Sequence, residues 1–324
     1  MTTPMSPVIG RMPVLILSPH SRCNCRCVMC DIWKTTDSRE MTAEDLGRHL
    51  KSIEQLGVEW AVFTGGEPLM HSDLFRLCRI LRERGIRVSL LTTGLLLARH
   101  AAAVAENVDD VIVSLDGPPE IHDQIRRIPG AFGMLEDGVR DLREIRPDFP
   151  VIARSTVQKM NCRNLRATVA AARALGLNGI SFLAADLTST AFNRPDGWAP
   201  ERTAAVALTA EDLMLLESEI EAMILSNEYR KFVVESPDKL RKILDHFRGC
   251  AIAPLCNAPW VSAVVEADGT VRPCFFHPPV GRVDANNPLL DVINGERAVA
   301  FRAALDVESN PVCRRCVCSL NWKK

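Results

Sequence analysis

The sequence lacks any long hydrophobic run. No apolar stretch approaches the roughly 18–20 residues that a membrane-spanning helix needs. The N-terminal stretch, Met1 to Arg11, has no apolar core of a secretory signal. A cytoplasmic protein with no membrane partner is the expectation. An excess of one charge is missing too: 39 Lys and Arg face 40 Asp and Glu, for a net charge of −1 and a pI near 6.7. That balance gives no electrostatic reason to expect nucleic acid or an anionic membrane as partner. There is no low-complexity tract and no internal repeat beyond an alternation of β-rich and amphipathic segments. What is present, 47% apolar and 24% charged residues over 324 positions, suits a globular enzyme with one large domain and a small appendage.

Cysteine is plentiful but unevenly placed. Twelve is too few for a disulfide scaffold of this size. Four lie at Cys23, Cys25, Cys27 and Cys30, and six at Cys250, Cys256, Cys274, Cys313, Cys316 and Cys318. In a reducing compartment, clustered cysteines read as metal ligands before they read as disulfides.

The first 184 residues alternate between strand-like runs and helix-like stretches. Strands are predicted at 13–18, 59–63, 86–91, 110–115, 151–157 and 179–184. Thr42 with Asp45 predicts a capped helix whose apolar face is Leu46, Leu50, Ile53 and Leu56. Ser72 predicts the cap of the next, and further helices are expected near 97–106, 132–145, 163–175, 209–225 and 237–248. Six βα units with near-continuous apolar strands imply a parallel sheet. Six is too few for a closed eight-stranded barrel, so the expected fold class is α/β, a partial TIM-like (β/α)6 barrel over residues 1–235. Residues 236–324 would form a small domain around a hairpin, Val261–Glu266 and Val271–Phe275, turning at Asp268-Gly269. The polar stretch 186–202 reads as a long loop, with Asp186, Asn193, Arg194 and Asp196 as candidate substrate contacts or as a solvated surface.

The motif Cys23-x3-Cys27-x2-Cys30 follows the first strand directly. Three thiolates on one loop can hold three irons of a cubane that normally takes four. A zinc loop is the alternative. Phe63-Thr-Gly65-Gly66-Glu67-Pro68 ends the second strand, Thr92-Thr93-Gly94 the third, and Ser114-Leu-Asp116-Gly117 the fourth, followed by His122 and Arg126. All fall at the C-terminal ends of strands, where α/β sheets bind ligands. The set resembles the radical SAM superfamily. That resemblance implies a 4Fe–4S cluster on Cys23, Cys27 and Cys30, with S-adenosylmethionine on the open iron. It further implies S-adenosylmethionine contacts from Gly65, Gly66, Glu67, Thr93, Ser114, Asp116 and Arg126, with Met29 packing on adenine where the family usually has an aromatic residue. Cys25 stands where the family has an apolar residue and reads as a spare thiol.

Cys256-x12-Gly269-x4-Cys274, followed after 38 intervening residues by Cys313-x2-Cys316, resembles the SPASM and twitch extensions of the same superfamily. It implies one auxiliary 4Fe–4S cluster on Cys256, Cys274, Cys313 and Cys316, with structural zinc as the alternative. Cys250 reads as a small buried residue near that cluster, as an alternative ligand, or as the candidate catalytic thiol, a hydrogen-atom donor to a product radical in the way family epimerases use a cysteine. The resemblance implies cleavage of S-adenosylmethionine to a 5′-deoxyadenosyl radical, hydrogen abstraction and oxidoreductase-type chemistry, with flavodoxin or ferredoxin as electron donor. With 22 residues before Cys23, an N-terminal winged-helix domain for a leader peptide is not expected. A small molecule, sugar or aminocyclitol, is expected as substrate ahead of a ribosomally made peptide.

Overall fold

The computed structural model describes residues 5–194, 196–250 and 254–323. Its β-rich runs become β1 (Val14–Ser18), β2 (Trp60–Phe63), β3 (Arg87–Thr92), β4 (Asp110–Ser114), β5 (Val151–Val157) and β6 (Gly179–Ala184). Between and after them lie α1 (Ala43–Gln55), α2 (Leu74–Arg82), α3 (Leu97–Asn107), α4 (Pro119–Arg126), α5 (Ala131–Ile145) and α6 (Leu165–Ala174). The chain continues through α7 (Pro200–Val206), α8 (Ala210–Leu225), α9 (Pro237–Phe247) and α10 (Ala258–Val261). It ends with β7 (Ser262–Glu266), β8 (Thr270–Arg272), β9 (Gly281–Arg282), α11 (Leu289–Ile293), α12 (Glu296–Ala304) and α13 (Pro311–Arg314).

The sheet order is β6-β5-β4-β3-β2-β1-β7-β8-β9. The first six strands are parallel and form the partial, open (β/α)6 barrel. Every crossover passes through a helix, as parallel strands require. In β5, Val151, Ala153, Ser155 and Val157 are buried while Ile152, Arg154 and Thr156 are half-buried. Period-two alternation therefore turns Arg154 and Thr156 toward the face opposite the core side chains.

The cysteine-rich C-terminal part continues the same sheet. β7 pairs in parallel with β1, Val14 opposite Ser262 and Ser18 opposite Glu266, and β8 and β9 follow antiparallel. The hairpin's second strand stops at Arg272 because Pro273 has no N–H to continue the ladder.

Thr42 caps α1 in a full capping box with Asp45. Ser72 does not cap α2: the N-cap is Asp73, and the Ser72 hydroxyl and amide both go to the Glu40 carboxylate. Among the described residues no helix is long and apolar enough to cross a membrane.

Candidate active site

The cysteine loop leaves the C-terminal end of β1 and is pinned at two points. Arg26 N–H donates to Arg126 O at 3.2 Å and Val28 N–H to Ile125 O at 3.0 Å, which fastens it to the last turn of α4. Its lead-in lies directly on the Gly65-Gly66-Glu67 turn. Gly66 N–H donates to His20 O, and Glu67 N–H to Arg22 O at 2.8 Å. A Cβ on Gly66 would stand 1.9 Å from Arg22 O, and one on Gly65, at φ +105°, 2.8 Å from His20 O. The glycines are thus demanded first by chain packing: only backbone fits between the two loops.

Glu67 is fully buried, and burial pushes its carboxyl pKa up. Its oxygens accept from Thr93 N–H at 2.6 Å, Thr93 Oγ1 at 2.7 Å, Thr92 Oγ1 at 2.8 Å and Leu69 N–H at 3.0 Å. In this arrangement Glu67 braces the ends of β2 and β3. Thr93 Oγ1 also lies 3.2 Å from Asn24 Oδ1, between the first two cysteines, so the brace reaches the cysteine loop.

A second brace runs from β4. Asp116 is fully buried and pairs with Arg126 at 2.6 Å, and Asp116 Oδ1 accepts from Thr156 N–H at 2.8 Å. Arg126 Nη1 lies 3.5 Å from Cys27 Sγ, and Arg126 Nε is buried without a partner. Burial opposes the Arg126 charge, but Asp116, Cys27 and Cys25 outweigh it and raise the pKa. His122 is buried, and its Nδ1 accepts from Asp116 N–H at 3.2 Å. Burial, helped by the Arg126 charge, lowers its pKa to about 3, so the imidazole is neutral at pH 7.

Burial pushes the Cys23 thiol up to about 12 and the Cys30 thiol up to about 11. Cys27 is lowered to about 6, by a hydrogen bond from Cys25 and by Arg126, against burial. Cys25 is raised, first by that same bond and then by burial, as expected of a thiol that keeps its proton and donates. Buried thiols held up in this way become thiolates only beside a strong local cation. Among the described residues no three His, Cys, Asp or Glu side chains converge as they would on a single ion. Thiolates on a cubane bind separate irons and need not share one point. The soft donor set, the cation beside Cys27 and the close-packed glycines fit an iron–sulfur cluster.

Met29 Sδ lies 3.6 Å from Gln158 Nε2, and Gln158 Oε1 is buried without a partner. Ser114 stands half-buried at the end of β4, opposite Arg154 of β5. The loop after β6 is more structured than a solvated segment. Arg194 is buried and pairs with Asp186, its Nη1 donating to Asp186 O at 2.7 Å. Asn193 Nδ2 donates to Asp31 O at 3.1 Å. Asp186, Arg194 and Asn193 thus make hydrogen bonds within the protein. The loop straps down the end of the triad: Trp198 Nε1 donates to Asp31 Oδ2 at 2.6 Å, and Arg202 pairs with Asp31 Oδ1 at 2.6 Å. The Trp198 ring has the Arg194 and Arg202 guanidinium carbons at 4.5 and 4.9 Å from its centroid. Asn24, Asp31, Gln158, Trp198 and Arg202 were not singled out from sequence; only the position of Asp31 after Cys30 and of Asn24 inside the motif could have flagged two of them.

The second cysteine group also assembles. Cys313 feels Cys274 and Cys256, Cys274 feels Cys256 and Cys318, and Cys316 feels Cys318, Cys256 and Cys274. Burial pushes Cys274 up to about 11 and Cys313 up to about 12, and raises Cys256 and Cys316. Cys318 N–H donates to Cys316 Sγ at 3.3 Å, and His277 Nε2 lies 3.3 Å from Cys313 Sγ. The tail is tied to this group: Asn257 N–H donates to Leu320 O, and Asn257 Nδ2 to Trp322 O, each at 2.8 Å.

Cys250 does not join the triad. It is exposed at the end of α9, beside a cavity of about 50 Å³ shared with Phe182, His246 and Cys316. None of that cavity's lining residues belongs to the triad loop.

Fold and site together define an open-barrel enzyme class with a thiol-rich loop at the ligand-binding end of the sheet. The model of the radical SAM superfamily matches residues 17–184, and that of the SPASM iron–sulfur cluster-binding domain matches residues 256–317. The chain belongs to the radical SAM superfamily. The cofactors that go with these domains are a 4Fe–4S cluster, S-adenosylmethionine and auxiliary iron–sulfur. The chain is 33% identical over 159 residues to an AdoMet-dependent heme synthase of Methanosarcina barkeri, covering 48% of this chain and 45% of that protein. The chain thus spans less than half the length of that relative. It is 26% identical over 277 residues to the PqqA peptide cyclase of Ruegeria pomeroyi, covering 81% of this chain and 67% of that one. Its fold is similar to Streptococcus suis SuiB bound to S-adenosylmethionine, with a TM-score of 0.70 at 15% identity, over 96% of this chain and 73% of that one. It is also similar to anSMEcpe with bound AdoMet, with a TM-score of 0.66 at 21% identity, over 94% and 87%.

Proposed function

We propose that this radical SAM enzyme oxidatively modifies a peptide, with Cys23, Cys27 and Cys30 holding the S-adenosylmethionine cluster. In this reading Cys256, Cys274, Cys313 and Cys316 hold one auxiliary 4Fe–4S cluster. The observation that carries the substrate reading is the similarity to a peptide cyclase over 81% of the chain. The expectation of a sugar or aminocyclitol finds no such support. When bound, the cluster and S-adenosylmethionine supply a 5′-deoxyadenosyl radical that takes a hydrogen atom from a substrate C–H bond. An auxiliary cluster held by Cys256, Cys274, Cys313 and Cys316 would supply electron-acceptor chemistry, and a low-potential carrier such as flavodoxin or ferredoxin would be the external donor.

The chain's own residues do the positioning. Arg126, held by Asp116, sets a positive charge beside Cys27 and lowers the cost of a thiolate there. Glu67 fixes Thr93 and, through it, Asn24. Gly65, Gly66, Thr93, Ser114 and Met29 are the residues that would hold S-adenosylmethionine. The strap holds the end of the cysteine loop by pairing Asp31, next to Cys30, with Trp198 and Arg202. Buried thiols of this kind suit a reducing cytoplasm.

The test is anaerobic reconstitution of the full chain followed by reduction with S-adenosylmethionine. Formation of 5′-deoxyadenosine, and its loss in C23A/C27A/C30A, is expected, with about eight irons per chain. A colourless zinc protein would refute the reading. The peptide assignment is checked with short peptides encoded beside the gene: a product lighter by two hydrogens supports it, and turnover of small sugars alone removes it.

A further inference from the structure

We infer that His277 is a positioning residue for the auxiliary site, donating an N–H···S hydrogen bond to Cys313 that raises the cluster's reduction potential. This rests on the reading that Cys313 is a cluster ligand. His277 Nε2 lies 3.3 Å from Cys313 Sγ, within reach of a hydrogen bond to sulfur, and both residues are buried. A ligating thiolate has no proton to give. The contact then requires the proton on Nε2, which fixes the direction of the bond.

The ring has little freedom to turn away. Phe301 of α12 meets it edge to face, with centroids 4.9 Å apart. Arg272, itself paired with Glu266 at 2.6 Å, donates to His277 O at 3.3 Å and holds the backbone. His277 lies just beyond Cys274 in sequence, so one turn carries both a thiol of the group and the donor to another. A second donor, Cys318 N–H, reaches Cys316 Sγ at 3.3 Å from two residues further along the chain.

Hydrogen bonds to ligand sulfurs draw charge from the cluster and stabilise its reduced, more negative state. That is the direction an electron acceptor needs. The bond moves no atoms and changes no ligand count, so its signature is a potential, not a loss of metal.

The experiment uses the full chain, anaerobically reconstituted, in the C23A/C27A/C30A background so that only auxiliary iron contributes. EPR-monitored redox titration compares wild-type His277 with H277F, which keeps a ring against Phe301, and H277Q, which keeps an N–H. The expected result is unchanged iron content, a lower midpoint potential in H277F, and a value near wild type in H277Q. An H277F potential equal to wild type overturns the inference. Loss of auxiliary iron in both variants also overturns it, because that is the behaviour of a ligand. A triad-less chain that binds no iron at all overturns the auxiliary-site reading itself, and the inference falls with it.

Discussion

At the scale of single residues, the site is built from polar groups that could not be buried alone. His122 is the clearest case: buried, neutral and accepting from the Asp116 amide through Nδ1. Its folded pKa of about 3 lies below the ordinary 6.5. The unfolded chain therefore binds more protons between those values, and stability rises with pH. The contribution is complete above pH 6.5 and is lost as pH falls from there toward 3. Denaturant titration across that range is expected to show a slope of up to about 1.4 kcal/mol per pH unit from this residue. H122N keeps an acceptor near Nδ1 without a titrating ring, and its profile is expected to be flatter. The three triad cysteines, the glycines and Asp116 were legible because a short loop or a strand end carries each motif whole. Asn24 and Gln158 were not, because their partners lie 69 and 129 residues away and no local pattern announces them.

At the scale of elements, the strap between β6 and α7 is the main addition. Its composition reads as loop, and so it is, yet Asp31 is buried beneath it. A buried carboxylate must be paired or hydrogen-bonded, and Trp198, Arg202 and Lys34 do this. The strap also touches the second cysteine group, where Phe192 meets Phe276 edge to face at 6.0 Å. W198F removes one hydrogen bond to a charged acceptor, worth about 1.5–3 kcal/mol. Reconstituted W198F is expected to bleach in air at least about tenfold faster than wild type, the factor that 1.4 kcal/mol represents. Absorbance decay of the triad cluster, followed in a chain lacking the auxiliary cysteines, checks this. The cap of α1 illustrates the opposite case: Thr42 and Asp45 stand three apart, so the helix start is written locally and appears as written.

At the scale of the molecule, one sheet carries both cysteine groups. β7 extends the barrel sheet at β1, and the tail returns to pack beside it. Trp322 stacks on Trp60 of β2 at 6.1 Å, and Asn257, next to Cys256, holds Trp322 by two hydrogen bonds, Nδ2 to Trp322 O and Trp322 N–H to Oδ1. N257A removes both, about 2 kcal/mol in all. It is expected to release auxiliary iron to a chelator faster than wild type while 5′-deoxyadenosine formation at the triad is kept. Equal loss from both sites would show that the tail supports the whole sheet rather than one end of it.

The sequence by itself determined the class of fold and the two cysteine groups. Strand alternation, caps and motif spacing are local, and six βα units leave few sheets to choose from. Only the tertiary structure decided how the groups are held. It joined the C-terminal hairpin to β1, placed Cys250 at the surface, turned the loop after β6 into a strap and set His277 against Cys313. Each of these depends on contacts between distant parts of the chain, whose energies come from burial and pairing that no local pattern encodes.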